Sequence, residues 1–202
     1  LKKGPVSIEC EYDEVFAALE LIEKVKEAER NGYDAVLIGC FTDPCIYAAK
    51  EAVKIPVVAP AEASMAISSI LGEKFSVILP KIIGRGAYGI VKRQAKTYGF
   101  ESKLASVRSI KIHVLDFIKM REELKAAILE EAKKAIDLDG ADTIILGCGG
   151  MIGIAKEVQE TIKIPVVDPI MAALKFAEMV VDMKISHSKI AYPTPPPKER
   201  KT

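Results

Sequence analysis

The sequence KIPVV occurs twice in the chain, at Lys54–Val58 and, unchanged, at Lys163–Val167. The two copies begin 109 positions apart. A Gly-Cys pair precedes each copy, and the two cysteines, Cys40 and Cys148, are 108 positions apart. The segments around both copies follow one order: an apolar run, Gly-Cys, a short turn, a helix-favouring segment, KIPVV and a second helix-favouring segment. The chain therefore contains an internal duplication.

The repeated elements predict an α/β fold. Continuous apolar runs at 35–39 and 143–147 are typical of buried parallel strands. IPVV is a second β-branched run, with proline at its start, where a missing N–H is tolerated. Periodicity adds further helices and strands over Glu11–Arg30, 75–79, Gly84–Tyr98, 103–110 and Lys119–Asp137. These elements indicate two doubly wound, flavodoxin-like parallel-sheet domains, related by a pseudo-twofold axis and separated by a cleft.

The domain boundaries follow from the repeat. We predict a first domain over 1–72 plus 187–202 and a second over 73–186, with the proline-rich tail returning over the first. From Phe75 to Cys148 there are 73 residues, but from Leu1 to Cys40 only 39. If the halves are homologous, the first lacks roughly one strand and one helix, each of ordinary length. Because the chain also begins with Leu, we expect the sequence to be short at its N-terminus.

Composition excludes several function classes. The 202 residues include 29 basic and 28 acidic ones, giving a net charge of +1. Neither nucleic acid nor an anionic membrane surface is therefore expected as a partner, and no apolar run is long enough to span a membrane. The four cysteines fit no zinc or disulfide spacing, so we expect no metal and a cytoplasmic chain with reduced thiols. GCGGMIG (147–153) has Ile152 where a dinucleotide loop needs its third glycine.

The two repeated cysteines are the candidate catalytic residues. In open parallel sheets, ligands bind beyond the carboxyl ends of the strands, where Cys40 and Cys148 are predicted to lie. Each also precedes a predicted helix, whose N-terminus would lower the pKa of the thiol. Two thiols on opposite sides of one ligand could remove a proton from one face of a carbon and return one to the other. No cofactor is needed if a neighbouring carbonyl delocalises the carbanion.

Residues that follow the cysteines are candidates for substrate binding. Small residues let backbone N–H groups approach a ligand and stabilise an enolate. The candidates are Phe41 and Thr42 after Cys40, and Gly149, Gly150 and Met151 after Cys148. Two acidic residues open the helices that follow IPVV: Glu62 could reach the cleft, and Asp168, its rough counterpart, is equally consistent with a helix cap.

A packing role is the alternative for any single cysteine, because cysteine is among the most buried residue types. Equivalent positions in a divergent repeat make that interpretation weaker for Cys40 and Cys148. Cys10 and Cys45 have no partner in the repeat and are interpreted as structural. His113 is interpreted as a surface residue at a strand edge.

The chain resembles the hydantoin/allantoin racemase branch of the aspartate/glutamate racemase superfamily. The similar stretches occur in the family's order over nearly the whole chain: GPVSIECEYDE (4–14), GCFTDP (39–44), IPVV followed by AEASM (55–65), ASVRSIKIHVLDF (105–117), LGCGGM (146–151) and IPVVDPIMAALKFAE (164–178). The resemblance implies a homo-oligomeric, cofactor-independent racemase, with Cys40 and Cys148 as its two acid/base residues. The expected substrate is a small molecule, a 5-substituted hydantoin or a related cyclic ureide such as allantoin.

Departures from the superfamily's patterns narrow this expectation. Amino-acid racemases of the superfamily typically carry Asn-Thr and Thr-Glu after their cysteines, whereas Phe-Thr and Gly-Gly stand here, which argues against free aspartate or glutamate. Cys40 argues against the aryl-malonate decarboxylase branch. The usual first strand with its Asn-Pro-Asn-Thr turn is absent, and Pro80 and Lys81 stand where threonines are usual. Two alternatives stay open: an inactive cleft protein that binds a small ligand, and a maleate isomerase-like enzyme with one cysteine as covalent nucleophile.

Overall fold

The computed structural model describes residues 3–81 and 86–199 as an α/β protein with two parallel sheets. The first sheet pairs β1 (Val36–Leu37) with β2 (Val57–Val58). The second sheet has the strand order β4-β3-β5-β6. Its strands are β3 (Phe75–Leu79), β4 (Leu104–Ser109), β5 (Thr143–Leu146) and β6 (Val166–Val167). The predicted α/β fold class is confirmed.

Seven α-helices occupy the described residues: α1 (Glu11–Arg30), α2 (Ile46–Ala52), α3 (Pro60–Leu71), α4 (Gly86–Thr97), α5 (Arg121–Asp139), α6 (Ala155–Ile162) and α7 (Pro169–Asp182). The bounds of α1 are those predicted. Helix α5 runs two residues beyond the predicted end, because Gly140 adopts the left-handed conformation (φ 72°) that terminates a helix, and the N–H of the next residue, Ala141, donates to the carbonyl of Ala135 at 3.0 Å. The predicted start of α4, Gly84, lies outside the described residues.

The two KIPVV copies form equivalent strands. Val36 pairs with Val57 in the first sheet, and Ile144 pairs with Val166 in the second. The proline at the start of each of these short strands accepts a hydrogen bond from the neighbouring strand through its carbonyl group. Val36 N–H donates to Pro56 O at 2.8 Å, and Ile144 N–H donates to Pro165 O at 2.9 Å. A proline at this point costs no ladder hydrogen bond, because only its acceptor is used.

The helices that follow the KIPVV copies, α3 and α7, connect the two halves. They pack against each other through buried alanines, and each also contacts strands of the opposite half. Helix α3 contacts β3, β5 and β6, whereas α7 contacts β1 and β2. This exchange places the two sheets on either side of a shared helical layer.

Three buried clusters hold these layers together. One lies between one face of the second sheet and the helices α5 and α6, and a second lies between the other face and α3, α4 and α7. The third packs α1 and α2 against the first sheet. Every residue of β3 and β5 is buried because both faces of that sheet are covered, which explains their continuous apolar sequences.

The segment after α7 contacts the first half. Ser186 Oγ donates to Lys54 O at 2.6 Å, His187 Nε2 lies 3.1 Å from Val53 O, and Lys189 Nζ donates to Lys50 O at 2.7 Å. The domain boundaries themselves stay a prediction. None of the described helices has the length and apolar character needed to cross a membrane.

Candidate active site

The structure brings the ends of the two cysteine-bearing strands together. Cys40 follows β1 and Cys148 follows β5. The turns after these strands are in close contact, because a Cβ added to Gly149 would lie 3.0 Å from the carbonyl oxygen of Gly39. Electrostatic repulsion from Cys40 raises the pKa of Cys148, although less than burial does. The two thiols predicted from the repeat therefore lie at one site between the halves.

Burial, rather than a helix N-terminus, dominates the acidity of both thiols. It raises the pKa of Cys40 above its usual value and raises that of Cys148 to about 11. The expectation of lowered pKa values was therefore wrong. The physical reason is that both thiols are partly buried, while α2 begins only at Ile46 and α6 only at Ala155. Each thiolate, once formed, is consequently a stronger base than a free cysteine.

Cys40 lies beside the hydroxyl group of Thr42, and Thr42 lines a cavity together with Glu14. Its Sγ is 3.4 Å from Thr42 Oγ1. Glu14 projects from the first turn of α1 and lines the same cavity as Thr42, whose hydroxyl acts to lower the pKa of the Glu14 carboxyl. Burial raises the pKa of Glu14, and its Oε1 is buried without a hydrogen-bond partner among the described residues. Sequence reasoning missed Glu14, because glutamate in the first turn of a helix is ordinary.

Asp43 anchors the turn after Cys40 to two helices. Its buried carboxylate accepts hydrogen bonds from Ala61 N and Glu62 N at the start of α3, and from the Tyr98 hydroxyl, all at 2.9 Å. Helix α3 needs this external cap because its own N-cap residue is alanine. Burial raises the pKa of Asp43 to about 7, although these three donors favour the ionised carboxylate. Asp43 itself adopts a left-handed conformation, with φ 52°.

Asp168 has the corresponding role beside Cys148. It is the N-cap of α7, as the sequence allowed, and accepts from Ile170 N at 3.0 Å and Met171 N at 3.1 Å. Its second oxygen accepts from Gly153 N, in the loop that follows Cys148, at 2.8 Å. A carboxylate therefore joins each post-cysteine loop to the next central helix. In the first half it comes from the loop, and in the second half it comes from the helix.

The turn after Cys148 has no room for larger side chains. A Cβ at Gly149 would meet Ile170 Cδ1 at 3.1 Å, besides the Gly39 carbonyl, and a Cβ at Gly150 would meet Phe117 Cδ2 at 3.0 Å. The N–H of Gly150 donates to Cys148 Sγ at 3.4 Å. Glycine at both positions therefore allows the backbone of this turn to lie directly against its neighbours. Sequence reasoning missed Phe117, because its contact with the turn depends on packing across the fold.

Two of the predicted substrate-binding residues have buried side chains. Phe41 and Met151 are 4% and 0% exposed and belong to the clusters on opposite faces of the second sheet. Gln94 of α4 fixes the first turn by donating from Nε2 to the carbonyl of Phe41 at 2.9 Å. At both positions, a contact with substrate would have to come from the backbone.

Glu62 is placed apart from the thiols. Its carboxylate accepts from Lys50 Nζ at 2.7 and 2.8 Å. The pair lines a cavity of about 490 Å³ together with Tyr47, His187 and Tyr192, and neither Cys40 nor Cys148 lines that cavity. Its role in substrate binding stays a prediction. Within residues 3–81 and 86–199, no cluster of His, Cys, Asp and Glu side chains is suited to hold a metal ion.

Comparison with known proteins identifies the family. Residues 1–177 match the family described as Asp/Glu/hydantoin racemase. The chain belongs to this family. It is 36% identical over 201 residues to a hydantoin racemase from Pseudomonas sp. (strain NS671), covering 98% of this chain and 79% of that protein. It is 38% identical over 190 residues to a hydantoin racemase from Paenarthrobacter aurescens, covering 93% of this chain and 78% of that protein.

A solved structure agrees with this assignment. An allantoin racemase from Klebsiella pneumoniae superposes with a TM-score of 0.92 at 30% identity, covering 98% of this chain and 80% of that one. The predicted resemblance to the hydantoin/allantoin racemase branch is therefore confirmed, and family membership supports a racemase activity for this chain.

Proposed function

We propose that this protein is a cofactor-independent racemase of 5-substituted hydantoins or related cyclic ureides such as allantoin. The observation that carries the proposal is the position of Cys40 and Cys148 at equivalent strand ends whose turns are in contact. Two relatives that cover most of this chain are hydantoin racemases, and a structure of nearly identical fold is an allantoin racemase. We also propose that the protein forms a homo-oligomer and is located in the cytoplasm.

In the proposed mechanism, one cysteine acts as a thiolate and the other as a thiol. The thiolate removes the hydrogen on C5 of the ring as a proton, and the electron pair of the C–H bond passes to the adjacent carbonyl as an enolate. The opposite thiol then gives its proton to the other face of C5. The product is the mirror-image enantiomer, and the two cysteines have exchanged protonation states. Because the thiols supply both acid and base, the reaction needs no metal or organic cofactor.

The electrostatics of the site fit this chemistry. The C5 hydrogen of a hydantoin is a weak acid, so a base with a high pKa is better matched to it than an ordinary thiolate. Burial provides such bases by raising the pKa of Cys40 and Cys148. The glycines at 149 and 150 allow the backbone of the turn to lie close to Gly39, which brings the loop of Cys148 against the loop of Cys40.

The test is exchange of the C5 hydrogen in D₂O, measured by NMR and chiral chromatography. Single enantiomers of allantoin and 5-benzylhydantoin are incubated with the wild type, Cys40→Ser and Cys148→Ser. We expect racemisation with the wild type and its loss in both variants. Exchange without inversion of one enantiomer in one variant would assign that face to the remaining cysteine. Cys10→Ser and Cys45→Ser are matched controls that should retain full activity.

Other outcomes would select a different function. If the wild type binds either ureide by calorimetry but exchanges neither, the protein is a binding protein that lacks the chemistry. If Cys40→Ser or Cys148→Ser accumulates a covalent adduct by mass spectrometry, the remaining cysteine is a nucleophile, as in a maleate isomerase-like enzyme. Size-exclusion chromatography with light scattering tests the oligomeric state, and a monomer would contradict that part of the proposal.

A further inference from the structure

The two thiols differ in the groups that contact them. Cys148 Sγ accepts an N–H from Gly150, which stabilises a thiolate but cannot carry a proton away. Cys40 Sγ instead lies 3.4 Å from Thr42 Oγ1, which can both accept and donate a proton. The Thr42 hydroxyl and the Glu14 carboxyl line one cavity, and the hydroxyl favours the ionised form of the carboxyl. A hydroxyl and a carboxyl group therefore lie on the side of Cys40, whereas the group in contact with Cys148 is a backbone N–H.

The Thr42 hydroxyl and the Glu14 carboxyl lie close to the surface. Glu14 and Thr42 both line a cavity of about 330 Å³ that Cys40 does not line. The same cavity is lined by Glu11 and Arg93, whose side chains are 67% and 59% exposed. Within the described part of the chain, Glu14 Oε1 is buried and has no hydrogen-bond partner, so its capacity to accept a proton is unused.

A racemase with two catalytic thiols needs a path by which protons pass between its cysteines and water. After each turnover of one enantiomer, the cysteine that began as a thiolate carries a proton and the other has lost one. Before the same enantiomer can react again, the free enzyme has to restore the first arrangement. Both thiols are partly buried, so direct exchange of their protons with bulk water is hindered.

We propose that Thr42 and Glu14 form a proton relay that connects Cys40 to the 330 Å³ cavity and resets its protonation between turnovers; this inference rests on the proposed racemase function. The Cys40 S–H bond breaks as its proton moves to Thr42 Oγ1. The original Thr42 O–H bond breaks as its proton moves to the Glu14 carboxylate, and Glu14 then releases the proton to water in the cavity. Threonine is unchanged, Cys40 is left as a thiolate, and the Cys148 thiolate takes up a proton from water, which restores the first arrangement. Glu14 and Thr42 are thus positioning residues, because they act through Cys40.

Several charged and titratable groups surround this relay. Glu11 on the same helix raises the pKa of Glu14, and Arg93 from α4 lowers it. Asp43 and Glu14 both raise the pKa of Cys40, and Glu14 also raises that of Cys45. The negative charge of Glu14 therefore opposes the thiolate form of Cys40 at equilibrium. A relay and a purely electrostatic effect consequently predict opposite results when Glu14 loses its charge.

The experiment compares Glu14→Gln with Thr42→Val, with Thr42→Ser as a matched control. Two rates are measured from pH 6 to 10: alkylation of Cys40 by iodoacetamide, followed by peptide mass spectrometry, and racemisation of the better substrate. In Glu14→Gln, removal of a like charge should speed alkylation by about two- to fivefold at pH 8. Loss of the relay should slow racemisation roughly ten- to a hundredfold. The alkylation profile of Cys148 should not change.

The other variants complete the test. Thr42→Val removes both the relay and a hydrogen bond that lowers the pKa of Cys40, so alkylation and racemisation should both slow. Thr42→Ser keeps the hydroxyl and should stay within about threefold of the wild type in both rates, as a conservative variant that keeps its hydrogen bonds does. A solvent isotope effect on kcat should be present in the wild type and larger in Glu14→Gln, where proton transfer from Cys40 limits turnover.

Faster alkylation of Cys40 together with unchanged racemisation in Glu14→Gln would overturn the relay and leave an electrostatic role alone. Equal slowing of Cys40 and Cys148 alkylation would also overturn it, because that result indicates a general distortion of the site. The alkylation measurements need no substrate. Their outcome is therefore distinct from a failure of the proposed function, which would appear as absent C5 exchange in the wild type.

Discussion

Replacing Asp43 by alanine is expected to lower the free energy of unfolding by about 3–5 kcal/mol at pH 5. The side chain accepts from three buried or partly buried donors, Ala61 N, Glu62 N and the Tyr98 hydroxyl. Leaving a buried donor without a partner costs about 1–3 kcal/mol. Alanine also tolerates the left-handed backbone at this position less well, at a cost of about 1 kcal/mol. Water entering from the adjacent 330 Å³ cavity recovers part of the total.

Asparagine at position 43 is expected to cost less than alanine and to change the pH dependence of stability. Burial raises the pKa of Asp43 to about 7 from an ordinary value of 3.8, so the folded protein retains a proton that the unfolded chain releases. The stability from this group is complete below about pH 4 and is lost as the pH rises to about 7, by at most about 4 kcal/mol. Asparagine has no such proton, so this loss should disappear in Asp43→Asn.

The assay is urea unfolding from pH 4 to 8, followed by circular dichroism, for the wild type and both Asp43 variants. Asp168→Ala is the matched control, because it removes the corresponding but more exposed cap and should cost only about 1–2 kcal/mol. The reasoning is refuted if Asp43→Ala unfolds within 1 kcal/mol of the wild type at pH 5. It is also refuted if the difference between Asp43→Asn and the wild type is constant across the pH range.

Three further predictions concern the site and its surroundings. Gly149→Ala would place a methyl group 3.0 Å from the Gly39 carbonyl, so racemisation should fall at least about tenfold; wild-type initial rates would contradict this. The racemisation rate should rise from pH 7 to 10, because burial raises the pKa of both thiols, that of Cys148 to about 11; a plateau by pH 8 would contradict it. Lys50→Met leaves the partly exposed Glu62 unpaired and should lower the free energy of unfolding by about 1–3 kcal/mol. The double variant Lys50→Met, Glu62→Gln should regain part of this free energy, and a double variant no more stable than Lys50→Met would contradict the prediction.

The duplication made the fold predictable. Two copies of the same strand, turn and helix pattern determine that parallel strands recur, and β3, which is apolar except for Ser76, was predicted with its observed bounds, Phe75–Leu79. The exchange of α3 and α7 between the halves was not predictable. Both helices are apolar over much of their surface, and such a pattern shows that a helix is buried without showing which sheet covers it.

The candidate site was predictable only in part, for a similar reason. Cys40 and Cys148 could be found because the repeat marks them. The direction of their pKa shifts could not, since it depends on how completely the surrounding elements exclude water. Asp43 looks like an ordinary turn residue beside Pro44. Its partners lie 18 and 19 residues further along and, in Tyr98, 55 residues further along, just after α4. Glu14 is separated from Thr42 by the rest of α1 and by β1, so no local pattern connects them.

The difference between the two thiols has a consequence for any racemisation that they catalyse. A site built from L-amino acids cannot be its own mirror image, so a pseudo-twofold axis is the closest approach to equal treatment of both faces of a substrate. The equilibrium constant between enantiomers in water is one, which requires kcat/KM to be equal for both, whatever the environments of Cys40 and Cys148. The relay at Cys40 and the Gly150 N–H at Cys148 can therefore make kcat and KM differ between enantiomers only in the same proportion. The enantiomer with the lower kcat must therefore also have the lower KM. Differences between the loops after Cys40 and Cys148 can thus change the concentration at which each enantiomer saturates the enzyme, but they cannot change the equilibrium ratio of the two enantiomers.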